Sequence, residues 1–268
     1  MASRSSTQPD LTFAMTKIIL FPKTMFAISL LALPLALVAC GQASPPGDET
    51  PTESSSSEES SDTGSVGEDG SLYPLVDGAT WTYLASTSTG QILGMEIVEA
   101  TEITWEGGPA WVLSDNPDDL GEWTESTIVR TGTAAARVHK EIKDASGTTM
   151  IVDYDPGFLR ADDKWDTVGF IEEILYDRNE TDGAGLNPKY EPRGHSYEVL
   201  AINESVTVPA GTFNCIKIER IRTVGTTAGE RVLFWNAPGI GKVREERPAE
   251  GRVEELASVS IPGGANFP

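Results

Sequence analysis

Residues 72–268 predict an all-β domain: a curved antiparallel meander sheet, half-barrel or barrel-like. Three observations carry that reading. From Tyr73 onward, short segments rich in Val, Ile, Thr and aromatic residues alternate with Gly, Asp, Asn and Pro. Several of the connections are short enough for hairpins. No long segment holds a clean helical period.

The predicted strands run 79–86, 91–104, 109–114, 122–131, 135–143, 148–154, 165–178, 194–208, 212–224, 230–236, 241–247 and 252–260. Ser88-Thr89-Gly90 separates the first two, Glu106-Gly107-Gly108 the next pair, and Ala145-Ser146-Gly147 the fifth from the sixth. The stretch 165–178 also fits a helix, because Phe170, Ile174 and Tyr176-Asp177 could sit on one. Val208-Pro209-Ala210-Gly211 places Pro second and Gly fourth, as a type I turn prefers. In the strand that follows, Phe213 and Cys215 share one face and Ile216 and Ile218 the other, which predicts either two covered faces or a bulge. Ala237-Pro238-Gly239-Ile240 places Gly third, as a type II turn requires. Successive hairpins favour a meander, and the strands are numerous enough to curl towards a barrel.

The rest of the chain is of another kind. Residues 25–39 (MFAISLLALPLALVA) are apolar and uncharged, and Lys17 and Lys23 lie upstream. That is the order of a secretory signal. The run is shorter than the roughly 20 residues of a membrane-spanning helix, and Pro34 interrupts it. Leu37-Val38-Ala39-Cys40 resembles the bacterial lipobox of type II signal peptides. The resemblance implies cleavage before Cys40, diacylation of its thiol and membrane attachment through that lipid. Each buried acyl methylene contributes about 0.8 kcal/mol, so two or three chains anchor durably. Gly41 follows the cysteine; by the same resemblance it points to the outer membrane, facing periplasm or cell surface. Residues 1–39 are therefore the expected signal peptide, with Met15 and Met25 as alternative starts.

Residues 41–71 hold eight acids, no base and no aromatic residue. Such a segment cannot bury enough apolar surface to offset its ordering entropy. Residues 40–71 are expected to be a lipidated cysteine and a disordered tether.

The chain carries a formal charge of −21. Removing residues 1–39 discards one acid and three bases. A chain so acidic repels nucleic-acid phosphates, and no nucleic-acid partner is expected. Cys40 and Cys215 could form one disulfide arithmetically, but it would join a tether to the domain, and none is expected.

Within the domain, Trp81-Thr-Tyr83, Val206-Thr-Val-Pro-Ala-Gly-Thr-Phe-Asn-Cys215 and Trp235-Asn-Ala-Pro-Gly-Ile-Gly-Lys-Val243 resemble an uncharacterised family of exported bacterial β proteins. That family pairs a V-P-A-G-x-F-x-C turn with a W-x-A-P-G-[IV]-G-x-V turn. The resemblance implies a curved antiparallel sheet and carries over no catalytic residue.

Cys215 as nucleophile with His139 or His195 as base competes with Cys215 as a small buried hydrophobe, and the strand context favours packing. Neither histidine has a second histidine nearby, so no metal site is expected. Asp177–Gly183 resembles a calcium loop but has its glycine in the wrong position and Pro188 where the loop ends. Asp115, Asp118, Asp119, Glu122, Asp162, Asp163 and Asp166 could build irregular calcium sites or be solvated loop acids. Trp105, Trp111, Trp123, Trp165 and Trp235 could stack on sugars or pack in the sheet. No catalytic, cofactor or metal-binding residue is assigned, and no cofactor is expected. The expected function is a non-enzymatic envelope lipoprotein binding an apolar or lipid-like ligand in its curved sheet. A structural or partner-docking lipoprotein with a filled core and a hydrolase without a recognisable motif are the alternatives. An unfilled concavity separates the first from the second.

Overall fold

The structure, a computed structural model, describes residues 70–264 and 266–267. The signal segment, Cys40 and the tether up to residue 69 lie outside the described residues.

The first six strands are β1 (Thr80–Thr87), β2 (Ile92–Trp105), β3 (Gly108–Asp115), β4 (Trp123–Thr131), β5 (Ala134–Asp144) and β6 (Gly147–Asp162). Then follow β7 (Ile171–Asp182), β8 (Lys189–Val208), β9 (Gly211–Val224), β10 (Arg231–Ala237), β11 (Gly241–Arg247), β12 (Arg252–Ser260) and β13 (Asn266–Phe267). Each strand pairs with the next in sequence order, and β1 also pairs antiparallel with β12. That last pairing closes twelve strands into an up-and-down barrel, which leaves no edge within the ring. β13 adds beside Val259 and Ser260 of β12.

The turns follow their residues. Trp105 and Gly108 face each other across a two-residue loop in which Glu106 and Gly107 have φ of 50° and 85°. Positive φ at both positions is the twist a tight hairpin requires. Pro209 and Ala210 form the two-residue loop between β8 and β9. At Ala237–Ile240 the Ile240 N–H donates to the Ala237 carbonyl at 3.1 Å, and Gly239 has φ 72°. That is the type II geometry for which glycine stands third.

Three strands are corrected. β6 runs on to Asp162 rather than ending at 154, and β8 begins at Lys189 rather than at 194. β7 begins at Ile171, not at residue 165, and the helical alternative does not form. Trp165 instead lies in a turn, its backbone N–H donating to the Asp162 carbonyl at 3.1 Å. Its indole stacks on Tyr197 at 5.2 Å and 25°. An indole can bury from a turn as well as from a strand, so its apolar character did not locate β7. In β9 both faces are covered. Phe213 and Cys215 pack with Trp235, Val243 and Leu256, whereas Ile216 and Ile218 pack with Leu159, Trp165 and Tyr197.

The segment 71–78 closes one end of the barrel. Gly239 N–H donates to the Ser71 carbonyl, Leu72 N–H to Asp163 Oδ1, and Gly78 N–H to the Ala100 carbonyl, each at 2.8 Å. Arg130 Nη2 donates to the Tyr73 carbonyl at 2.7 Å. Gly239, Asp163 and Arg130 lie on turns or at strand ends of the same rim, and Ala100 lies within β2. Leu72, Leu75 and Val76 each enter a different apolar cluster, so a short stretch joins all three. Leu72 is 2 % exposed. Truncating it leaves a cavity among Leu159, Trp165 and Tyr197, and Leu72→Ala is expected to cost about 2–4 kcal/mol in urea unfolding.

Candidate functional site: the charged lumen

Above that floor the barrel is hollow. The lumen encloses about 410 Å³. A deeper space of about 110 Å³, lined by Tyr73 and Pro74 of the closing segment, adjoins it and shares Arg137, Arg160 and Lys242. A site of this volume suits one small ligand.

The lining is set by the period of the strands. Alternate residues point inward, and towards the open end the inward positions are charged. Nine of the 17 Arg and Lys residues in the described region face the lumen, against six of its 32 carboxylates. An acidic protein thus surrounds a basic interior.

One wall is neutralised. Lys242 Nζ lies 2.6 Å from Glu254 Oε2 and 3.2 Å from Glu245 Oε2, and Arg247 Nε lies 2.5 Å from Glu245 Oε1. Lys242 Nζ also sits 4.3 Å above the Tyr83 ring centre, a cation–π contact. Burial works against both charges. It pushes the Glu245 carboxyl up, but Lys242 and Arg247 outweigh it and hold the group below the ordinary range. Burial likewise lowers Lys242, but Glu245 and Glu254 raise it further than burial pulls it down.

The facing wall is different. Arg137 on β5, Arg160 on β6 and Arg220 on β9 surround the ring of Phe158, with guanidinium carbons 5.9, 5.6 and 5.2 Å from its centre. Of the eleven described arginines, the other eight each have a carboxylate within 4.0 Å and these three have none. Burial, and then the nearby Arg160, lower the Arg137 pKa; burial lowers that of Arg220. Arg160 gains from Tyr73 and Glu245, which more than offset its burial. Lys140 joins this wall, and burial followed by the charge of Arg137 brings its pKa down to about 8. His195 is 2 % exposed, stacks on Tyr176 at 5.7 Å and 9°, and leaves Nδ1 without a partner. Burial, then Arg220, Arg222 and Arg193, hold its pKa down to about 3.

The residues singled out in the sequence lie elsewhere, except His195 and Asp115. Cys215 is fully buried, and burial and then Glu204 push its thiol up to about 12, which keeps it protonated. His139 contacts Asp153 at 2.6 Å and Trp105 at 5.1 Å. Asp118 caps its own loop, accepting from Leu120 N–H at 2.8 Å and Glu122 N–H at 3.0 Å. Asp162 pairs with Lys164 and Asp163 with Arg130, each at 2.9 Å, and Asp166 accepts from the Thr167 hydroxyl at 2.9 Å. Asp115 faces the lumen and accepts from the Thr124 hydroxyl at 2.9 Å. Asp182, in the segment likened to a calcium loop, accepts from Leu186 N–H at 2.8 Å and so organises a turn. Among the described residues no group of three His, Cys, Asp or Glu converges as metal ligands. None of the five candidate sugar-stacking tryptophans lines the lumen; Trp235, for example, donates its indole N–H to Glu204 at 2.8 Å.

The arginine wall escaped the sequence reading. Its traces were two bases two residues apart, Arg220-Ile-Arg222, and a base two residues after an aromatic, Phe158-Leu-Arg160, in a chain with few bases.

Comparison with known proteins gives little more. No curated protein matches the chain. A solved structure from Bacteroides fragilis, described provisionally as an exported protein with a YmcC-like fold, aligns with a TM-score of 0.47 at 15% identity, covering 70% of this chain and 98% of that one. Another, described provisionally as a lipoprotein from Parabacteroides distasonis, aligns at 0.44 and 14% identity, covering 72% of this chain and all of the other. Residues 199–264 match a family described as DUF3108-like, a span that takes in the end of β8, all of β9–β12, both proline-glycine turns and the Lys242–Glu245–Glu254 lattice.

Proposed function

We propose that this chain is a lipid-anchored envelope protein, attached through Cys40, whose barrel holds a small ligand without chemically changing it. The hollow lumen carries this reading. A purely structural barrel gains stability by filling its interior, and an unfilled interior lined with charge forgoes that gain. The lipobox resemblance at Leu37–Cys40 supports attachment, and Gly41 favours the outer membrane. The ligand has a polar end, since the inward residues near the open mouth are charged; an apolar portion would lie against Val98, Leu113 and Tyr83 deeper in.

Native mass spectrometry of the full chain, extracted in detergent from its own host, tests both halves. The expected spectrum shows a chain beginning at Cys40 with added acyl mass, and a further small molecule that departs on activation. Thr124 lines the lumen, so Thr124→Trp is expected to abolish the second increment while circular dichroism stays unchanged. Cys40→Ser is expected to move the protein to the aqueous fraction. A chain with no co-purifying molecule would end the ligand half, and an unmodified Cys40 would end the anchoring half.

A further inference from the structure

Resting on the ligand-binding reading above, we infer that Arg137, Arg160 and Arg220 form a seat for a phosphate-type oxyanion carried by that ligand. Three guanidinium groups from three strands converge on one ring, Phe158, and no pair of them can be further apart than their two distances to that ring allow. They are the described arginines that lack a carboxylate. The domain is not short of acids, because the other eight described arginines are all matched, four of them in the lumen lining itself. Holding Arg137 and Arg220 there without a carboxylate costs free energy through desolvation, to which repulsion from Arg160 adds. That cost is offset when an anion enters. Arg137 and Arg160 keep buried Nε atoms without a hydrogen-bond partner, as do the carboxylate-paired Arg193, Arg222 and Arg244, so these atoms supply donors without marking the seat.

The geometry favours phosphate over a lone carboxylate. A carboxylate offers one negative charge and two oxygens, which a single bidentate guanidinium can satisfy. A phosphomonoester offers nearly two charges and three oxygens, and several planar forks can share it. The site is closed to polyanions by size: a lumen of about 410 Å³ admits a small headgroup, not a nucleic acid. The strongly negative exterior works against long anions as well.

Inorganic phosphate and dihexanoyl phosphatidic acid, titrated by calorimetry into the full-length protein in detergent, test the seat and distinguish its source. Saturable heat with inorganic phosphate points to a free or sugar-borne group; heat with the phosphatidic acid alone points to a lipid headgroup. In either case Arg137→Gln and Arg220→Gln are each expected to weaken binding at least tenfold. Arg244→Gln is expected to leave it unchanged, because Arg244 pairs with Glu246 and Glu255 at 2.7 and 3.2 Å, away from the lumen lining. Without added anion, Arg137→Gln and Arg220→Gln are expected to melt no lower than the native protein, since each relieves crowding; a merely structural arginine would melt lower. Failure of both anions to bind the native protein, or equal binding by all variants, overturns the seat. The ligand reading is judged separately: a neutral molecule co-purifying in native mass spectrometry would keep the lumen as a binding site after the anion seat had fallen.

Discussion

Replacing Glu245 with Gln is expected to destabilise the barrel by about 3–5 kcal/mol in chemical unfolding. Glu245 is 2 % exposed and touches both Lys242 and Arg247. Glutamine keeps the shape but removes the charge that holds two inward cations. Lys242 would retain Glu254 at 2.6 Å, and Arg247 would retain Glu250 at 3.7 Å and the more distant charge of Glu254. A buried cation left without its partner costs more than the intact pair contributed. The double variant Glu245→Gln, Lys242→Met is therefore expected to regain part of the loss. Because the folded Glu245 pKa lies below its ordinary value, its contribution is complete above the ordinary glutamate pKa. It is lost as pH falls below that value. A loss under 1 kcal/mol for the single variant would mean that water already shields this wall.

Acidification between pH 6.5 and 5 is expected to cost the native protein about 2 kcal/mol through His195 alone. The folded ring titrates near 3, against an ordinary histidine value of 6.5. Over that interval the unfolded chain binds a proton that the folded chain refuses. The stabilisation is thus whole above pH 6.5 and drains away as pH falls towards the folded value. Phe158 on β6, Tyr176 on β7, Arg193 on its own strand, and Arg220 and Arg222 on β9 face the ring. The aromatic rings exclude water and the arginines repel a further positive charge, so both act in the same direction. His195→Phe should flatten the slope between pH 5 and 6.5 in urea-unfolding measurements. An unchanged slope in that variant would assign the acid sensitivity to other groups.

The strand pattern was legible because local rules wrote it. Glu106-Gly107, Pro209-Ala210 and Pro238-Gly239 each demanded a particular turn, and the apolar alternation between them did the rest. β8 begins at Lys189, five residues before the predicted start, and carries Pro192 opposite Asp177. β13 has two residues, too few to produce a pattern. Closure was not legible, because the pairing of β1 with β12 joins opposite ends of the domain and no local residue specifies it. The lumen failed for a further reason. A period of two says which residues share a face, never which face is enclosed. Arg220 and Arg222 alternate with Ile221 as a solvent-facing row would, and their enclosure depends on strands contributed from elsewhere in the chain.

Making the first strand wait for the twelfth also fixes when a growing polypeptide can become whole. Neighbouring hairpins are free to zip as soon as both their strands are present, but the ring cannot shut until residues 252–260 arrive. Until that moment two raw borders stand open to other chains. A premature stop just ahead of β12 would therefore disable the entire vessel rather than trim its tail.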